Sequence, residues 1–242
     1  MRQSRIYVSQ PLLSTQTVEL TGVASHYLAR VLRVSIGDPV TLFNGDGRDY
    51  TGEILQVQRQ CIIVRLEESR LAGNESPLNI TLVQAISRGE RMDYTLQKAT
   101  ELGVSRIQPV SCDRVEVRLD EKRRAKRLAH WQGVVISACE QSGRAVVPEV
   151  LPPCSLDQWL CVADLSPRLV LDPGAQVKLS AIRVETENVS VLIGPEGGFT
   201  SSELEDMKEK GVRAVSLGPR VLRTETAGPA ALAVLQMTAG DL

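Results

Sequence analysis

The sequence predicts an α/β protein in two parts, a small β-rich module followed by a larger domain built on a parallel sheet. Three observations predict it. Short strand-like runs crowd the first 70 residues, a polar stretch with Gly and Pro follows, and beyond it strands alternate with helices. Such alternation needs crossover connections, and these make neighbouring strands parallel.

Taken in order, "RIYVS" and "TVEL" read as strands and "ASHYLARVLR" as a short amphipathic helix. "PVTLF", "YTGEILQV" and "CIIVRLEE" then suggest a small β-barrel. Asn44-Gly45 predicts a tight hairpin turn, because both residues tolerate positive φ. "SRLAGNESP" marks the boundary and divides the chain into residues 1–72 and 73–242. Beyond it "LNITLVQAI" reads as a buried strand, "RMDYTLQKATELG" as a helix ending at Gly103, and "VSRIQPV" as a strand. A long helix is predicted from Asp120 to Gln141, and further strands at "RLVLD", "VSVLI" and "AVSLG". Thr200 and Glu203 fit a capping box opening a helix that Gly211 ends, and "TETAGPAALAVLQM" is the last helix.

Composition narrows the class. At 242 residues, 43% hydrophobic and 24% charged, the chain can bury a core without disulfides. No apolar run approaches the roughly 20 residues of a membrane span, and "MRQSRIYVSQ" is no secretion signal, so a cytoplasmic, non-membrane protein is expected. Five cysteines form no CxxC pair and only two histidines are present, so no metal is expected and the thiols read as reduced and structural. A net charge of −1 does not mark a nucleic-acid binder. Arginine, however, outnumbers lysine 22 to 6, and its planar fork suits phosphates and bases; biased base composition explains the ratio equally well. The basic run Arg118–Arg127 reads as a solvated helix face or an RNA contact.

The chemistry concentrates in three loops that follow strands: "LDPG" from Leu171, "GPEGG" from Gly194 and "GPR" from Gly218. Ligands gather beyond the carboxyl ends of parallel strands. Glycine lets a backbone approach a ligand closely, so such loops recognise it with main-chain groups. Phosphate-loop and dinucleotide fingerprints are both absent, and Glu196 would repel a phosphate. A nucleoside carrying a positive sulfonium fits the loops better, although Gly-Pro turns also serve as plain punctuation.

"VLIGPEGGFT" and "LGPRVLRTETA" closely resemble the two signature motifs of the SPOUT superfamily of S-adenosylmethionine-dependent RNA methyltransferases. With "RIYV", "SRGERMDYTLQKATELGV" and "ACEQSGRAVVPEV", nearly the whole chain resembles the bacterial 16S ribosomal RNA (uracil-N3) methyltransferase family. The resemblance implies a trefoil-knotted SPOUT methyltransferase domain, its last strand and helix threaded through a loop, preceded by a PUA-like β-barrel RNA-binding domain. It implies S-adenosyl-L-methionine as cofactor, a homodimer, and 16S rRNA as substrate, expected within the assembled 30S subunit because low net charge favours shape over bulk electrostatics. A 2′-O-ribose methyltransferase of the same fold and a non-catalytic ribosome-assembly RNA binder are the alternatives.

Methyl transfer is an in-line displacement, and uracil N3 becomes nucleophilic as its proton leaves. Arg220 and Arg223 are expected to stabilise the uracil anion and Glu225 to orient an arginine or accept the proton; alternatively Arg223 and Glu225 simply pair at the helix start. The resemblance places Leu171, Gly194, Glu196, Gly197, Gly198, Leu217, Gly218, Val221 and Leu222 on the cofactor. It places Arg5, Arg30, Arg33, Arg88, Arg91, Lys98, Glu140, Gln141 and Arg144 on RNA. His26 and His130 are read as structural.

Overall fold

The computed structural model describes residues 4–115, 121–162 and 166–242. The chain packs as two units: residues up to Glu75 with Cys139–Val147, and Ser76–Ala138 with Pro148–Leu242.

The first unit is a mixed five-stranded sheet of β1 (Ser4–Tyr7), β2 (Thr17–Thr21), β3 (Pro39–Phe43), β4 (Arg48–Val57) and β5 (Cys61–Leu71), in the order β1-β3-β4-β5-β2. β1 runs parallel to β3 and the other pairings are antiparallel. Strict alternation in β5 sends Ile62, Val64 and Leu66 to one face, where they join Val18, Leu20, Leu42 and Ile54 in a single core. A Cβ at Gly52 would stand 2.2 Å from the Arg65 carbonyl oxygen, at a shift in β4–β5 register, so only glycine fits there.

Two local expectations change. The β3–β4 hairpin turns through residues 44–47 rather than a two-residue turn. The Asn44 and Asp46 side chains accept the Asp46 and Arg48 backbone N–H groups, so side-chain acceptors stabilise a wider loop. The predicted single helix at 24–33 is α1 (Gly22–His26) followed by a π-helical turn, Tyr27–Leu32. Arg33 ends it with φ 53°, and the Val34 N–H reaches the Leu28 carbonyl at 3.1 Å.

The second unit contains β6 (Asn79–Ala85), α2 (Glu90–Glu101), β7 (Val104–Ser111), most of α3 (Glu121–Ser142), β8 (Glu149–Val150), β9 (Cys154–Ser155) and α4 (Leu156–Leu160). β10 (Arg168–Leu171), β11 (Asn188–Ile193), α5 (Ser201–Glu209), β12 (Arg213–Val215) and α6 (Thr224–Ala239) complete it. The sheet order is β12-β10-β11-β6-β7-β8, with β9 also on β7, and every pairing is parallel. β8, β9 and α4 were not expected, because elements of two to five residues are too short to show periodicity. Helix α2 buries Met92, Thr95, Leu96 and Ala99 at helical spacing and packs on α6. Gly103 ends it with φ 78°, and an added Cβ there would stand 2.5 Å from the Gln236 amide. α5 opens with the expected reciprocal cap between Thr200 and Glu203. Of the basic run, residues 118–120 lie outside the described residues, and with them the predicted start of the long helix at Asp120. Among the described residues, no helix is long and apolar enough to cross a membrane, and no cluster of His, Cys, Asp or Glu could hold a metal ion.

Candidate functional site

The order β12-β10-β11 sets the carboxyl ends of the three loop-bearing strands side by side. After β10 the chain turns at Asp172, whose carboxylate accepts the Gly174 N–H at 2.9 Å. It then runs beside the continuation of β12: Ser216 donates its N–H to the Val177 carbonyl and accepts that of Leu179. After β11, Gly194-Pro195 leads into a turn closed by the Gly198 N–H on the Pro195 carbonyl, with Gly198 at φ 69°. A Cβ at Gly194 would meet the Phe199 ring at 3.1 Å, so this glycine lets the aromatic ring lie against the loop.

The three loops enclose a cleft of about 620 Å³, within the usual range for a small-molecule site. Of the nine positions expected to touch cofactor, Leu171, Gly194, Glu196, Gly198, Leu217, Gly218, Val221 and Leu222 line it. Gly197 does not; its carbonyl accepts from the Arg114 guanidinium at 2.7 Å, and an added Cβ there would stand 3.3 Å from the Arg114 stem. Arg220, Arg223 and Glu225 line the same cleft. Phe199, Asp172 and Thr224 also line it and were not expected. Asp172 lies within the first loop, Phe199 directly follows the second and Thr224 lies four residues beyond the third, so their sequence neighbourhood was the available signal.

Arg91, expected on RNA, lines this cleft. Its guanidinium pairs with Glu196 at 3.0 Å and with Glu225 at 3.8 Å. Burial alone would raise the Glu196 carboxyl, but its own backbone N–H, the Arg91 guanidinium and the Arg88 N–H outweigh that and hold it below the ordinary glutamate range. Oε2 of Glu225 is buried and has no hydrogen-bond partner among the described residues. Apolar walls at Leu171, Ile193, Leu217 and Leu222, with the glycine-rich loops and the Glu196 and Glu225 side chains, together suit an adenosine ring bearing a cationic sulfonium.

The comparisons with known proteins agree with this chemistry. A family described as "RNA methyltransferase domain" matches residues 74–236, and one described as "RNA methyltransferase PUA domain" matches residues 20–67. The ribosomal RNA small subunit methyltransferase E of Buchnera aphidicola (subspecies Schizaphis graminum) is 34% identical, over 100% of this chain and 98% of that relative. The chain belongs to this RNA methyltransferase family. The Neisseria gonorrhoeae ribosomal RNA small subunit methyltransferase E, solved with bound S-adenosylmethionine, is 42% identical with a TM-score of 0.93, covering 100% of both chains. A Legionella pneumophila protein solved with the same cofactor is 41% identical with a TM-score of 0.97, again over 100% of both.

The remaining expected RNA residues divide into two groups. Arg30, Arg33, Arg88 and Gln141 are exposed, and Lys98 is half-buried, pairing with Glu101 at 2.8 Å. Arg5, Glu140 and Arg144 make ion pairs and hydrogen bonds within the first unit. Arg5 pairs with Asp49 at 2.8 Å, donates to the Cys139 and Arg144 carbonyls, and lies 3.9 Å over the Phe43 ring. Arg144 is 5% exposed and grips Glu75, while Glu140 accepts the Tyr7 N–H at 3.0 Å. Burial pushes the Glu140 carboxyl up, against the pull of Tyr7 and Arg5.

Proposed function

We propose that this protein transfers the methyl group of S-adenosylmethionine to N3 of one uridine in 16S ribosomal RNA. The observation that carries the reading is the convergence of Arg220, Arg223 and Glu225 with the glycine-proline loops on one cleft, in a member of this family. S-adenosylmethionine supplies an electrophilic methyl group on a cationic sulfur. Main-chain groups of the Gly194–Gly198 and Leu217–Leu222 segments hold the adenosine, and the carboxylate of Glu196 offsets the positive charge. Arg220 and Arg223 stabilise the negative charge that collects on the uracil carbonyl oxygens as the N3 proton leaves. Glu225, which pairs with Arg91 at 3.8 Å, orients that arginine or receives the proton.

Several finer features belong to the same proposal. The segment 172–187 forms the loop through which the last strand and helix thread as a trefoil knot. Support comes from the pairing of Ser216 with residues 177–179 and from the bond between the Thr224 hydroxyl and the Gly194 carbonyl. The sheet module of residues 1–72 is a PUA-like barrel that binds RNA through Arg30 and Arg33, while residues 73–242 form the catalytic domain. The enzyme works in the cytoplasm as a homodimer on the assembled 30S subunit.

The test is transfer from radiolabelled S-adenosylmethionine to 30S particles that lack the modification, with nucleoside mass spectrometry of the product. The expected product is 3-methyluridine. Label on ribose would overturn the chemistry and leave the cofactor site standing.

A further inference from the structure

Gln84 is a polar residue in the most enclosed part of the sheet. It lies in β6 opposite Ile193 of β11 and Pro109 of β7, with no exposed surface. A buried amide is costly unless its groups are paired. Its Nε2 donates to the Ala85 carbonyl at 3.0 Å and to the Thr224 hydroxyl at 3.0 Å. That hydroxyl donates its proton to the Gly194 carbonyl at 2.8 Å. The direction is forced. A carbonyl only accepts, so the hydroxyl spends its one proton on Gly194 and must accept from Gln84. The amide orientation follows, because turning it over would set its oxygen against the Ala85 carbonyl. Oε1 therefore faces Gly228, where an added Cβ would stand 3.3 Å away, and it has no hydrogen-bond partner among the described residues.

A core built only for stability would place a methionine or leucine here and avoid the unpaired oxygen. The amide instead joins three pieces of chain: strand β6, the first residue of α6, and the glycine that opens the second loop. Thr224 is flanked in sequence by Arg223 and Glu225, and both line the cleft. We propose that Gln84 is a positioning residue for methyl transfer. Acting through the Thr224 hydroxyl, it locks the Gly194 turn against the start of α6, in the arrangement that receives cofactor and places the two arginines. This inference rests on the reading of the cleft as an S-adenosylmethionine site.

The experiment is a thermodynamic cycle in the full chain: wild type, Gln84→Met, Thr224→Val, the double variant, and Thr224→Ser. Calorimetry gives S-adenosylmethionine affinity, thermal unfolding checks folding, and single-turnover methylation of 30S particles follows the reaction. Each single variant is expected to fold cooperatively and bind the cofactor about tenfold more weakly, the scale of one lost buried hydrogen bond. The double variant should bind no more weakly than the worse single, and Thr224→Ser should restore affinity. Losses that multiply in the double variant would show that Gln84 does not act through Thr224. Wild-type affinity in a folded single variant, or no rescue by serine, would also overturn the proposal. If wild type binds cofactor but methylates nothing, the assigned reaction fails while the affinity cycle still decides the role of Gln84. If wild type does not bind cofactor, both readings fall.

Discussion

At the scale of single residues, Arg91 and Arg5 show that an arginine's task depends on what surrounds it. Arg91 bridges two carboxylates in the cleft, so Arg91→Ala should cut turnover while leaving the salt dependence of RNA binding unchanged. A phosphate-binding arginine would instead lower that slope by about one, which is the expected result for Arg30→Ala. Arg223→Ala is expected to keep cofactor binding and lose turnover; joint loss of both would give it a structural role. Arg5→Ala should destabilise the first unit by about 3 kcal/mol, because Asp49 is left partly buried without its partner. Denaturant unfolding would measure that loss. Glu196 adds a pH signature. Its carboxyl is held below the ordinary value of 4.5, so its contribution to stability is complete above that pH. The contribution is lost as pH falls through the lower folded value. The melting-temperature difference between wild type and Glu196→Gln should accordingly be flat above pH 4.5 and shrink below it.

At the scale of elements, helix ends and helix contacts set where the site lies. The Thr200–Glu203 cap is reciprocal, and Glu203 Oε1 also accepts the Asp113 N–H at 2.9 Å. One carboxylate thus fixes the start of α5 and the segment after β7. Thr200→Ala should cost about 1 kcal/mol by thermal unfolding, with little effect on chemistry. Gly228 belongs to the contact of α6 with β6 and α2, where a Cβ would meet Gln84, Thr95 and Leu82 at 3.3–3.7 Å. Gly228→Ala should therefore weaken cofactor binding as well as stability, since the Gln84 and Thr95 side chains must give way by a few tenths of an ångström. Equal cofactor affinity in wild type and Gly228→Ala would disprove that coupling.

At the scale of the whole molecule, a net charge of −1 implies recognition by shape and local contacts rather than by a broad basic field. Methylation should be faster on assembled 30S particles than on free 16S rRNA, and equal single-turnover rates would refute this. Thiol reactivity should follow burial: Cys161 is exposed, whereas burial pushes the Cys112 thiol up to about 12 and that of Cys139 to about 11. Alkylation at neutral pH should mark Cys161 first and leave the other two intact until the protein unfolds.

The sequence alone determined what is local. Periodicity gave the strands and helices, glycine and proline gave the loop positions, and Thr200 with Glu203 gave a cap, because each depends on residues within a few positions. Motif content gave the family. The tertiary structure decided what depends on contacts distant in sequence. It set β10 between β11 and β12, so that three separate loops share one cleft. It turned Arg91 toward two glutamates and drew Arg5 and Arg144 inward, since nothing near an arginine in sequence says which carboxylate will face it. It also brought Gln84, 140 residues away along the chain, to the Thr224 hydroxyl. A glutamine in an apolar strand reads as an exception to a pattern, and only the packed sheet shows what it holds.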